Sequence, residues 1–292
     1  MIIVMACPLC GCDRARPSWL GSTRFSGKEF PYVECLMCGS LYCEPMPDDE
    51  TLARMYGPEY EEGFASEPVI EDNKDPSRII EWLRKSESGT FIDYGCGTGA
   101  LLIEASQLGW ETIGVEFEED VARRVEARTG VRVVSCRGVG TLNGTRADIL
   151  HLGDVIEHLT ELNKQMPQIL RLIRPGGLLL AQGPLEANTT LFTSVVRLAR
   201  QVRRSRSGEM APYHVLLATM KGQRELFRRF GLEELEFNLR EVAWPAPDKL
   251  SVSDLGNPRS VALFTLRRFS QAVSALRPGL WGNRYFYAGR IQ

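Results

Sequence analysis

The chain contains no apolar run of about 18 residues, so no transmembrane helix is expected. It has almost no net charge: 35 Lys and Arg against 37 Asp and Glu leave −2 at pH 7. No global attraction to nucleic acid or anionic lipid follows from that balance, so any such attraction must be local. No basic leader precedes the short apolar opening Met1–Ala6, so no signal peptide is expected. Histidine is scarce, and an imidazole in any site must come from His151, His158 or His214. No internal repeat is present. What remains, 43% hydrophobic and 25% charged over 292 residues, suits one α/β domain with a smaller appendage.

Beyond residue 43 cysteine is nearly absent, with only Cys96 and Cys136. The other six crowd into the first 43 residues: Cys7, Cys10, Cys12, Cys35, Cys38 and Cys43. A secreted disulfide framework would spread across the domain. Pairs two residues apart suggest instead a metal site in a reducing compartment, hence a cytoplasmic location. Cys7-Pro8-Leu9-Cys10-Gly11 and Cys35-Leu36-Met37-Cys38-Gly39 are two C-x-x-C-G knuckles. Each offers two thiolates to one tetrahedral ion, and glycine permits the tight turn beyond the second sulfur. Four thiolates close the coordination shell, so Cys7, Cys10, Cys35 and Cys38 predict a structural Zn²⁺. Cys12 and Cys43 lack the knuckle spacing.

Zinc ribbons also serve nucleic-acid proteins, but the charge argues against that partner here. Residues 13–34 set Arg14, Arg16, Arg24 and Lys28 against three acids, and residues 44–75 hold eleven Asp or Glu against Arg54 and Lys74. Phosphate affinity needs clustered positive charge. Three segments follow: a zinc-binding module over 1–45, an acidic connector over 46–75, and an α/β domain over 76–292.

In that last segment strands alternate with helices. Strands are expected at Thr90–Tyr94, Glu111–Glu116, Val131–Ser135, Ala147–Leu152 and Leu178–Gln182. Helices are expected at about Thr98–Leu108, Glu118–Arg128 and Leu159–Ile173, the last stopped by Pro175-Gly176-Gly177. This spacing specifies parallel βαβ units with right-handed crossovers. Further helices are expected at Thr190–Arg204, Met220–Phe230 and Arg259–Leu276, with strands near Leu232–Leu239 and Arg284–Ala288.

Asp93-Tyr94-Gly95-Cys96-Gly97-Thr98-Gly99 is the most informative stretch. Alternate glycines after a buried strand let the backbone turn tightly and approach a ligand, and the following helix N-terminus offers N–H groups to an anionic group. Asp93 would repel a dinucleotide pyrophosphate but can bind an ammonium. Glu116, ending the next strand, can accept hydrogen bonds from both ribose hydroxyls.

These residues resemble the first motif, D-x-G-C-G-x-G, of the class I S-adenosylmethionine (SAM)-dependent methyltransferases, a likeness that extends over about residues 76–290. It implies a Rossmann-like sheet with helices on both faces, behind a small zinc-ribbon-like module. It implies that Gly95, Cys96, Gly97, Gly99 and Gly153 lie along SAM with Asp93 nearby, and that Glu116 holds the ribose. Where many relatives carry an acid after strand three, this chain reads Cys136-Arg137-Gly138-Val139-Gly140, leaving adenine to backbone and Val139. The run from Cys35 through Tyr42, Pro47, Leu52, Tyr56 and Tyr60 is similar to a module of some bacterial sugar and natural-product methyltransferases.

Asp154, Glu157 and His158 follow strand four, where α/β sheets place ligands. They read either as a helix-capping cluster or as chemistry. In the second reading His158 is a general base on a hydroxyl, since imidazole titrates near roughly 6.5. Alternatively the three residues hold Mg²⁺, as the similar E-x-x-E-H of the ubiquinone-pathway O-methyltransferases implies. His214, in Ala211-Pro212-Tyr213-His214, is a further acceptor-site candidate, and His151 reads as structural. An insertion over about 186–218 looks like a lid. Within it residues 190–206 are basic and amphipathic, without an acid, and read as a solvated helix or a weak membrane-surface contact. The expected function is methyl transfer from SAM to a small molecule or sugar precursor, at a hydroxyl. The alternatives are an RNA methyltransferase and a non-catalytic SAM- or zinc-binding module.

Overall fold

A computed structural model describes residues 5–56, 76–142, 144–203, 210–242, 250, 254, 256–276 and 281–292. Residues 57–75 of the expected connector and 204–206 of the basic stretch lie outside that set. In chain order the first elements are β1 (Ala15–Phe25), β2 (Lys28–Cys35), β3 (Leu41–Cys43), α1 (Asp49–Met55), α2 (Pro76–Lys85), β4 (Thr90–Tyr94), α3 (Ala100–Gln107), β5 (Glu111–Glu116), α4 (Glu119–Thr129), β6 (Val133–Ser135) and β7 (Ala147–Gly153). There follow α5 (Leu162–Leu170), β8 (Ile173–Pro184), α6 (Leu191–Arg203), β9 (Leu216–Leu217), α7 (Met220–Arg229), β10 (Leu232–Arg240), α8 (Pro258–Leu276) and β11 (Arg284–Ile291).

Seven strands form one sheet in the order β10-β11-β8-β7-β4-β5-β6. Parallel pairing sets Ile92 beside Ile113 on one side and Leu150 on the other. Ile79, Ile80 and Leu83 of α2 pack with Phe91, Trp110, Ile149, Leu180 and Phe286 into one apolar cluster. Leu102 of α3 and Ala122 and Val125 of α4 build another with Cys96 and Val133. The expected α/β fold is therefore present. The strand order reverses at β4, because its successor β5 lies to one side and β7 to the other. In open α/β sheets ligands bind at such a reversal, outside the C-terminal ends of the strands.

One terminator acts differently from expectation. Pro175-Gly176-Gly177 does not merely stop a helix; it lies within β8. The helix already ends at Leu170, and the β7–β8 register shifts between Ala147 and Ile149 to accommodate the extra residues. Gly176 sits at φ +74, and a Cβ on Gly177 would lie 2.6 Å from Ile173 Cγ2, so both glycines belong to a bulge.

The cysteine-rich segment is built of strands that its residue pattern does not announce. β1 and β2 meet through Ser26-Gly27, with φ of +50 and +76, the two positive angles that a two-residue hairpin loop prefers. β3 then pairs with β9 through Leu41–Leu217 and Tyr42–Leu216, closing the sheet order β1-β2-β3-β9. Compact units accordingly cut across the linear order. One gathers the described residues of Met1–Gly57, Pro184–Gln223 and Asn238–Tyr285; the other gathers those of Pro58–Gly183, Arg224–Phe237 and Phe286–Gln292.

The first unit buries an ion pair. Arg267 Nη1 of α8 donates to Glu241 Oε1 at 3.1 Å, and both side chains are about 1% exposed. Ser270 and Ser274 hydroxyls donate to the same carboxylate, and the Arg267 guanidinium lies 3.5 Å over the Phe192 ring of α6. Burial holds the Arg267 pKa below its ordinary value, with Glu241 opposing the shift. Glu241→Ala leaves a buried guanidinium without its carboxylate and is expected to destabilise this unit by about 3–5 kcal/mol. Chemical denaturation reads it; a loss under about 1 kcal/mol would mean the pair is replaceable.

Candidate cofactor site and thiol cluster

Behind β4, Gly95, Gly97 and Gly99 all lie in the left-handed region, at φ +81, +51 and +70. Gly95 and Cys96 N–H groups donate to Val115 O at 2.7 and 3.1 Å, folding the turn over the end of β5. A Cβ on Gly95 would stand 2.5 Å from Val155 Cγ2, and one on Gly99 would stand 2.8 Å from Val125 and Thr129 side-chain atoms. At Gly97 nothing lies within 4 Å, so here the backbone faces open space that a ligand can enter. Glu116 clasps this turn: Oε2 accepts from Gly97 N–H at 2.9 Å and Oε1 from Phe117 N–H at 2.7 Å. Each carboxylate oxygen keeps a second acceptor position. α3 has no side-chain N-cap beyond Gly99, so its first N–H groups face the turn.

Asp93 is only 3% exposed, and its partner is His151. Pairing of β4 with β7 sets the two side by side, with Nδ1 2.7 Å from Asp93 Oδ1. Gln182 Nε2 stands 3.3 Å from the other ring nitrogen. A neutral imidazole that donates from Nδ1 and accepts at Nε2 satisfies all three groups. His151, expected to be structural, thus also orients the site's buried acid. Gly153, expected along the cofactor, is glycine for a local reason: its Cβ would fall 2.6 Å from His151 Cε1.

After β7 the chain turns through Asp154 at φ +56, whose N–H donates to Gln182 O at 3.0 Å. Asp tolerates this region better than most residues, yet it is still strained backbone at a functional rim. A 3₁₀ turn over Ile156–His158 follows, with Glu157 buried and Asp154 and His158 half-buried. Asp93, Gly95, Gly97, Gly99, Glu116, Asp154, Glu157 and His158 therefore share the rim at the C-terminal ends of β4, β5 and β7. His214 belongs to the other compact unit, where Nδ1 lies 2.9 Å from Glu186 Oε2 and its carbonyl accepts from the Tyr32 hydroxyl at 2.9 Å.

Two neighbours of Glu116 have no role readable from the sequence. Tyr94, at the end of β4, and Cys136, which opens a 3₁₀ turn over Cys136–Leu142, hydrogen-bond side chain to side chain. Burial pushes the Cys136 thiol up to about 11 and the Tyr94 phenol above its usual range, so both stay neutral beside Glu116. The Cys96 side chain packs inward against Leu102, Ala122, Val125 and Val133, leaving only its backbone to the turn. Val139 is half-buried in the 3₁₀ turn, while Phe117 is 51% exposed.

Sulfurs of Cys7, Cys10, Cys35 and Cys38 lie within 4.8 Å of one another, with Cys7–Cys38 at 3.8 Å and Cys10–Cys35 at 3.4 Å. Tetrahedral Zn–S bonds of about 2.3 Å imply sulfur separations of about 3.8 Å, so this donor set has the chemistry and nearly the spacing that zinc requires. Gly11 and Gly39 turn at φ +76 and +73, and their N–H groups donate to Cys7 O and Cys35 O. The hydrogen bond from Cys7, with help from Ser40, lowers the Cys38 thiol to about 5. Cys12 Sγ instead accepts from Arg14 N–H at 3.4 Å, and burial pushes Cys43 up to about 12. The second knuckle is braced from far along the chain: Thr219 donates to Ser40 Oγ at 3.0 Å and to Cys38 O at 2.6 Å.

His151→Ala deprives a buried carboxylate of its partner and is expected to cost about 1–3 kcal/mol, read by chemical denaturation. His151→Asn, whose amide can donate to Asp93, should recover part of it; equal loss in both variants would deny the hydrogen bond its role.

The family described as a methyltransferase domain matches residues 71–236. The ribosomal protein L11 methyltransferase of Dechloromonas aromatica (strain RCB) is 32% identical over 112 residues, 36% of this chain and 36% of that protein. The ubiquinone biosynthesis O-methyltransferase of Sinorhizobium medicae (strain WSM419) is 28% identical over 95 residues, 30% of this chain and 38% of that one. The chain thus spans little more than a third of the curated relatives it matches. The crystal structure of magnesium protoporphyrin IX methyltransferase from Synechocystis PCC 6803 with bound SAH covers 83% of this chain and 94% of that chain, with a TM-score of 0.50 and 12% identity, a likeness of fold. With more than half its length matched and the glycine turn seated at the switch point of its sheet, the chain belongs to the methyltransferase-domain family.

Proposed function

We propose that the protein transfers the methyl group of SAM to a hydroxyl of a small molecule or sugar precursor. The observation that carries this reading is the rim itself: an acid clasping an open glycine turn, with a half-buried histidine on the neighbouring loop of the same sheet edge. SAM supplies an electrophilic sulfonium methyl, so the protein's task is to orient the acceptor and remove its proton. Asp93, fixed by His151, would draw the amino-acid end of SAM under the turn, and the open face at Gly97 would let its backbone approach. The spare acceptor positions of Glu116 would take the ribose hydroxyls, and Val139 and the backbone of its turn would line adenine. His158 would accept the hydroxyl proton, with Asp154, Glu157 and His214 as further acceptor-site groups. We also infer that Cys7, Cys10, Cys35 and Cys38 hold one structural Zn²⁺, a set that persists in a reducing compartment such as the cytoplasm.

Calorimetry tests the cofactor half. Glu116→Ala should weaken SAM by about 1.5–3 kcal/mol, losing charge-assisted hydrogen bonds and the clasp on Gly97 together. Gly97→Val should abolish binding, since a branched side chain both strains φ +51 and fills the open face. No heat from SAM with the parent would sink the reading. For the metal, Cys35→Ser should release about one zinc per chain and unfold β1–β3 first; zinc-free protein purified under reducing conditions would overturn it.

The chemical half is read in turnover. His158→Ala should leave SAM affinity within a few-fold while lowering methyl transfer by roughly 10²–10⁴. If a divalent ion operates instead, Asp154→Ala and Glu157→Ala lose comparably, and Mg²⁺ stimulates the parent. Full activity in His158→Ala on the true acceptor would return the trio to a capping role and shift attention to His214.

A further inference from the structure

α8 is anchored through a polar face. Its buried face carries Arg267, Ser270 and Ser274, held by Glu241, whereas Ala262, Thr265, Phe269, Ala272 and Leu276 follow one another at three- and four-residue steps along an exposed stripe. Phe269 is 61% exposed and Leu276 80%. A helix in water normally turns its apolar side chains inward; Val261, Leu263, Phe264, Leu266 and Val273 are half-buried, but Phe269 and Leu276, opposite the polar anchor, stay outside. α6 joins α8 through Phe192 N–H, which donates to Ser270 Oγ at 3.0 Å, and exposes Val195 and Leu198 in its turn. The segments that form these helices contain no acid, the nearest along the chain to α8 being Asp254 just ahead of it. No Asp or Glu occurs from residue 187 to 208 or from 255 to 292, in a protein whose net charge is −2. Arg259 and Arg268 are exposed on α8, Arg268 immediately beside Phe269.

We propose that this face docks on an anionic lipid surface, with Phe269 and Leu276 entering the headgroup boundary and the arginines meeting lipid phosphates. A helix that exposes Phe269 and Leu276 beside Arg259 and Arg268, and carries no acid of its own, has the chemistry of an interfacial helix. A second copy of the chain fits less well, because pairing two such faces brings arginine against arginine. The sequence pattern points to residues 190–206 for weak membrane contact; the apolar contact proposed here lies mainly on α8.

Full-length, zinc-loaded protein is to be sedimented with vesicles of phosphatidylcholine alone and of phosphatidylcholine with about one third phosphatidylglycerol. Binding to the anionic vesicles is expected to be at least tenfold stronger and to fall with added salt. The double variant Phe269→Glu, Leu276→Glu should lose it more than tenfold, and Arg259→Gln with Arg268→Gln should lose its salt-dependent part. Both pairs are exposed, so unchanged melting and zinc content check the fold. Equal binding to both vesicles, no binding to either, or a dimer in solution that the Phe269 and Leu276 changes dissociate would each overturn the proposal.

Discussion

A carboxylate shut inside an α/β sheet must be satisfied before anything above it can be positioned, and in this protein that constraint falls on Asp93. Parallel pairing of β4 with β7 answers it by setting His151 alongside. Several other choices then follow. Gln182 on β8 occupies the second imidazole nitrogen, and Gly153 must lack a side chain to clear the ring. The chain leaves β7 through Asp154 in a strained conformation, its N–H tied to Gln182 O, and Val155 then rests where only glycine is tolerated at Gly95. The glycine turn and the loop bearing His158 are therefore one mechanical assembly, joined through the core beneath them.

Glu116 plays the corresponding part on the other side of the turn. Its two hydrogen bonds to backbone N–H groups make the turn depend on the same carboxylate proposed for ribose. A bound nucleoside and the conformation of the turn would then be coupled, since loss of that side chain removes a ligand and a structural clasp together. Tyr94 and Cys136 extend the rim as neutral, hydrogen-bonded neighbours, so neither adds a negative charge beside Glu116.

Legibility in the sequence follows the range of the interactions involved. β4 and β5 were readable to the residue because a buried parallel strand is an apolar run ending in a turn signal, which is local information. The four knuckle cysteines were equally local. β1 to β3 were not, because their side chains do not alternate cleanly and their sheet is closed by β9, well over a hundred residues later. The Pro175-Gly176-Gly177 bulge was misread because the same residues end helices and kink strands, and only the offset between Ala147 and Ile149 decides which. His151 looked structural, a correct but incomplete reading, since its partner Asp93 is visible only once the register is known. The pairing of Tyr94 with Cys136 carried no spacing signal at all.

α8 shows the same limit from the energetic side. The sequence places a helix here without saying which residues turn inward, and hydrophobicity alone would bury Phe269 and Leu276. A guanidinium taken out of water needs a carboxylate and hydroxyls around it, and Glu241, Ser270 and Ser274 supply them for Arg267. That anchor turns its own face inward, leaves Val261, Leu263, Phe264, Leu266 and Val273 half-buried, and keeps Phe269 and Leu276 on the opposite side exposed. What such a surface meets is then governed by its surroundings, where α8 itself exposes Arg259 and Arg268 and carries no acid.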